Sequence, residues 1–136
     1  MAMQTTVQKR LWRRMRAEDG TATVEAVVWF PIFIAILALI IDVTLMLHGK
    51  TQVTRVVQDG TRAYAVGRIT ETADVEAFIM GAVSTLAPNA VALTASSGGI
   101  VSTIVKVPAT DLMMFGYFSA FDDLNMAIAS QQLLEI

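Results

Sequence analysis

At 136 residues the chain has room for one small domain, and its 54% hydrophobic content and mean hydropathy of +0.57 exceed what a soluble domain carries. Through Gly20 five basic residues oppose two acidic ones, a net of +3, and from Thr21 onward five oppose ten, a net of −5, an asymmetry that suggests two compartments. With no cysteine there is no disulfide, no thiolate chemistry and no cysteine metal site.

Lys9, Arg10, Arg13, Arg14 and Arg16 stand just before a long apolar run. Ala26 to Ile41 is uncharged throughout. It gives about 24 Å of helix at roughly 1.5 Å per residue, short of a hydrocarbon core of about 30 Å, and continuing to Leu47 makes up the difference. Val, Ile, Leu and Phe dominate Val24 to Leu47. Each favours insertion by about 0.3–0.6 kcal/mol, while a central carboxylate costs about 2.5–3.5 kcal/mol, and Glu25 and Asp42 lie near the ends. Insertion therefore wins. The core is longer than the roughly 7–15 residues of a cleavable secretory signal, so the anchor is expected to stay. Positive charge on its N-terminal side puts the N-terminus in the cytoplasm and the C-terminal part outside. With Trp12 interleaved, the basic cluster also has the look of a nucleic-acid patch, but five charges beside a membrane span need no such partner. Pro31 lies within the span and should remove one backbone hydrogen bond, kinking or loosening the helix. Asp42 reads either as a polar contact between packed membrane helices or as an interfacial acid near His48.

Beyond Leu47 the helical pattern continues, with Val53, Val56, Val57, Gly60 and Tyr64 opposite Gln52, Arg55, Asp59 and Arg62. One long helix is expected from about Thr23 to about Arg68. Gly49, Gly60 and Gly67 each cost about 1 kcal/mol relative to Ala, so the extension needs a partner surface. A second helix is expected over about 73–86, with Val75, Phe78, Ile79, Ala82, Val83 and Leu86 at helical spacing, closed by Ala87-Pro88-Asn89. Apolar runs over about 90–95 and 100–107, separated by Ser96-Ser97-Gly98-Gly99, read as a hairpin. Leu112 to Phe121 reads as a short helix or a buried loop, Asp122-Asp123 as a turn, and about 124–129 as a third strand. Three strands against the amphipathic helix are the smallest credible arrangement, a fold of class α+β with a small antiparallel sheet.

No stretch offers catalytic chemistry. His48 is the only histidine and lacks partners for a metal site. Asp122 and Asp123 are adjacent and fit a turn better than an acid/base pair. Gly98-Gly99 lacks phosphate-loop spacing. The cluster Met113-Met114-Phe115-Tyr117-Phe118 reads as core or, if exposed, as a docking surface for another subunit. No enzyme activity, metal, cofactor, nucleic acid or small-molecule substrate is expected.

Arginines, then a glycine, small residues and a carboxylate opening an apolar helix resemble the class III signal of type IV pilin-like proteins. The wider run Asp19-Gly20-Thr21-Ala22-Thr23-Val24-Glu25-Ala26-Val27-Val28-Trp29-Phe30-Pro31 resembles the TadE-like minor pseudopilins of the tight-adherence (Flp) pilus machinery. The resemblance implies cleavage by a prepilin peptidase between Gly20 and Thr21, leaving Glu25 fifth in the mature chain. A free amine at Thr21, or on a neighbouring subunit, is then a partner for Glu25; the alternative is a carboxylate that snorkels to the headgroups or complements the positive helix start. Thr21 departs from the aromatic first residue of many major pilins. The expected organisation is a basic cytoplasmic leader over 1–20, a transmembrane half-helix over 21–48 and a periplasmic pilin-like domain over 49–136. Glu25, Pro31 and Asp42 are the residues expected to pack subunits within the membrane. The implied role is structural, in priming or supporting pilus assembly, with the prepilin peptidase, other pilins and an inner-membrane assembly platform as partners. The rival reading is an uncleaved single-pass inner-membrane accessory protein whose small outer domain binds a partner.

Overall fold

The structure is a computed structural model that describes the backbone of residues 2–135 and the side chains of residues 22–135. In chain order it contains helix α1 (Ala2–Ala65), helix α2 (Thr72–Val83) and strands β1 (Val91–Ser97), β2 (Ile100–Pro108) and β3 (Asn125–Leu133). Short 3-10 turns lie at Ala109–Leu112 and Ser119–Phe121. The long apolar helix and the small three-stranded antiparallel sheet make an α+β fold. The residues divide into two compact units, Met1–Ala38 and Leu39–Ile136.

In the first unit α1 is continuous through Pro31, whose ring nitrogen leaves the Val27 carbonyl without its usual i+4 donor. The described side chains there are almost all exposed, from Val24, Trp29 and Phe30 to Phe33 and Leu37.

In the second unit the helix buries a stripe at Met46, Val53 and Val57, with Gly49 and Gly60 on the same side. Thr44, Thr51, Thr54 and Thr61 each donate the hydroxyl to the carbonyl four residues back, so these polar groups need no outside partner. α1 stops at Gly67, whose φ of 73° suits a glycine. Arg68 N–H bonds the Ala63 carbonyl and Gly67 N–H the Tyr64 carbonyl, the paired bonds of a Schellman end. Arg68, expected as the last helical residue, therefore lies just beyond this stop.

α2 buries Val75, Ile79 and Val83, one stripe at four-residue spacing. Phe78 and Ala82, placed with that stripe by spacing, are exposed, because a 12-residue helix on a narrow sheet buries one ridge only.

The sheet order is β1-β2-β3, both pairings antiparallel. Gly98 and Gly99, at φ 60° and 79°, form a two-residue turn of the type whose twist suits a hairpin. Ser96 and Ser97 accordingly belong to β1 rather than to the loop. Ala92, Thr94, Thr103, Val105, Val107, Met126 and Ile128 lie on one face by register, and the Thr94 and Thr103 hydroxyls pair across it at 3.2 Å. The core joins that face to the buried stripes of α1 and α2 and to Ala87, Ala109 and Leu112. β3 runs on to Leu133, past the 129 expected, because pairing with β2 continues to Ile100↔Leu133 although Ser130, Gln131 and Gln132 are polar.

Candidate functional site

Two places carry the functional reading: the start of the apolar run, and Asp42. Among the described residues α1 is the one helix long and apolar enough to cross a membrane, and almost none of its most apolar stretch is buried. Glu25 and Pro31 lie on α1 and are exposed. Lys9, Arg10, Arg13, Arg14, Arg16, Gly20 and Thr21 lie outside the residues whose surroundings are described.

Asp42 is 1% exposed. Its Oδ1 accepts the backbone N–H of Met114 at 2.9 Å and of Phe115 at 2.9 Å, and its Oδ2 accepts that of Gly116 at 3.0 Å. Three consecutive amides converging on one anion form a nest, which needs backbone that turns sharply, and Gly116 supplies it with a φ of 60°. A helix that enters apolar surroundings with a carboxylate must satisfy it, and here the donors come from the same chain. The segment Leu112 to Phe121 is consequently neither one helix nor a fully buried loop: its 3-10 turns flank an irregular stretch held open by Asp42.

A second carboxylate fixes the other end of that stretch. Asp111 accepts the Asn89 backbone N–H at 2.8 Å through Oδ2 and its side-chain amide at 2.9 Å through Oδ1. Between the two, Leu112 inserts against Gly49: a Cβ there would lie 2.7 Å from Leu112 Cδ2. The glycine that looked like a weakness in the helix is the space that Leu112 fills.

The Met/Phe cluster is thereby split. Met113 packs against the core, whereas Met114 and Tyr117 are 70% and 74% exposed and Phe115 is 39% exposed. Phe115 and Tyr117 stack with ring centroids 5.8 Å apart.

His48 is exposed and pairs with Gln52 at 2.7 Å, and among the described residues no group of three His, Asp or Glu side chains is placed to hold a metal. Asp122 and Asp123 lie in a turn. Sequence reasoning singled out Asp42 but not its partners, which are backbone amides 72 to 74 residues away. The one local signal for them was a glycine inside an otherwise bulky Met/Phe run.

Neither a curated protein nor a solved structure matches the chain. The model of the TadE-like protein family matches it over residues 20–62, from the glycine of the expected junction through the helical extension, and over that stretch the chain is similar to that family.

Proposed function

We propose that this chain is a minor pseudopilin that primes or supports assembly of a tight-adherence (Flp) pilus, processed by a prepilin peptidase after Gly20. The observation that carries the reading is the TadE-like match, which begins at Gly20 itself and runs on through an exposed apolar helix. In this reading the basic residues Lys9, Arg10, Arg13, Arg14 and Arg16 hold the leader in the cytoplasm. Gly20, Thr21 and Glu25 form the peptidase recognition site, and removal of the leader leaves a new amine at Thr21. That amine lies one helical turn from Glu25, on the same chain or on a neighbour, and offsets a carboxylate that is costly at a membrane helix start. Glu25, Pro31 and Asp42 shape the packing of the apolar helix, over 21–48, against other pilins and the inner-membrane platform, and residues 49–136 form the periplasmic domain. The protein is a substrate of the peptidase and a structural part, with no catalytic step of its own.

The test is N-terminal sequencing of the protein extracted from membranes of cells that make the peptidase. Thr21 is expected as the first residue; Met1 to Gly20 still attached would overturn the reading in favour of an uncleaved accessory anchor. Glu25→Ala is expected to insert normally and to lower piliation, and unchanged piliation would count against the role given to Glu25.

A further inference from the structure

We propose that the loop over residues 113–118 is a bilayer contact: Asp42 marks the outer end of the membrane span, and the surface presented by Met114, Phe115 and Tyr117 rests in the headgroup–acyl boundary. This inference rests on the reading of the apolar run as a membrane span and adds where the span ends and what touches the lipid there.

The first support is position. Leu39 to Ile41 close the uncharged run and belong to the same compact unit as the loop, and Ile40 is exposed. The next residue, Asp42, takes the three loop amides. The loop is therefore fastened at the level where the apolar run stops. The span then ends near Ile41 rather than near His48, which agrees with burial of Met46 and Gly49 within the folded unit.

The second support is chemistry. No charged residue lies between Asp111 and Asp122, and the exposed side chains at the loop tip are Met, Phe and Tyr. An aromatic ring with a polar tip suits the membrane interface, and the stacked Phe115 and Tyr117 rings present such a surface side by side. Irregular backbone ordinarily avoids lipid because bare N–H groups are costly there. Here Met114, Phe115 and Gly116 each give the N–H to Asp42, so loop and carboxylate satisfy one another.

The experiment uses the full chain, whose natural lack of cysteine permits single spin labels. Tyr117→Cys, Ile34→Cys and Ser97→Cys are labelled separately and reconstituted in phosphatidylethanolamine–phosphatidylglycerol vesicles. Collisions with oxygen, which partitions into lipid, and with a water-soluble nickel chelate are measured by electron paramagnetic resonance. At Tyr117 oxygen should dominate at shallow depth, at Ile34 it should dominate deeper, and at the hairpin residue Ser97 nickel should dominate. A Tyr117 label as open to nickel as Ser97, with Ile34 in lipid, overturns the loop contact and leaves the anchor intact. An Ile34 label open to nickel overturns the anchor itself. A Tyr117 label shielded from both reagents, with spin–spin broadening that vanishes on dilution with unlabelled chain, assigns the surface to a second copy and also overturns the proposal.

Discussion

Gly60 of α1 stands against Ile79 of α2 so closely that a Cβ at position 60 would lie 2.9 Å from Ile79 Cγ1 and 3.1 Å from its Cδ1. Ile79 is fully buried, so it has nowhere to retreat. Gly60→Ala therefore gains about 1 kcal/mol of helix propensity and loses about 1–3 kcal/mol to overpacking, a net loss of up to about 2 kcal/mol. Gly81, also helical, would meet nothing within 4 Å. Gly81→Ala is expected to stabilise by up to about 1 kcal/mol. Thermal melts of the two variants in detergent, followed by circular dichroism, should move in opposite directions.

Asp42 accepts three successive amides, those of Met114, Phe115 and Gly116, so its removal takes their acceptor from all three. Asp42→Ala is expected to cost about 1–3 kcal/mol and to expose the Met114–Gly116 amides. Asp42→Asn keeps an oxygen for Met114 and Phe115 but turns an amide donor toward Gly116, and should fall between. Hydrogen exchange of these amides reads the order: slowest in the natural protein, fastest in the alanine variant. Equal exchange in all three would show that the bonds do not hold the loop.

The Gly98-Gly99 turn requires positive φ at both residues. A β-branched side chain at Gly98 is expected to cost about 1–2 kcal/mol, as in Gly98→Val. Gly98→Asn creates the Asn-Gly pair that such turns favour and narrows the unfolded chain, giving a gain of up to about 1 kcal/mol. Opposite shifts in denaturation midpoint check the pair.

Glu76 on α2 accepts the Thr94 backbone N–H through Oε1 at 2.6 Å, occupying a donor of the edge strand β1. Glu76→Ala is expected to cost about 1 kcal/mol and to speed amide exchange at Thr94, whereas Glu76→Gln keeps an acceptor and should change little.

The elements were legible wherever periodicity or turn chemistry is local. The apolar run, the stripe at Val53 and Val57, the stripe at Val75, Ile79 and Val83, and the glycine hairpin all follow from spacing along the chain. Three features were not, for one physical reason: each depends on a partner remote in sequence. β3 extends through Ser130 to Gln132 because β2 is there to pair. Gly49 and Gly60 read as propensity defects until Leu112 and Ile79 occupy the space beside them. Asp42 read as a charge at a boundary until the loop amides arrived. The TadE-like signal over 20–62 was legible because its residues are contiguous.

The bonds at Asp42 also impose an order of events during synthesis. Its donors are encoded 72 to 74 residues downstream, so the apolar run leaves the ribosome before they exist. Throughout that interval the carboxylate depends on water or on headgroups for its partners. Only when Met114 to Gly116 have emerged can their amides take the charge over, so this carboxylate meets its final partners long after the helix that carries it has been made.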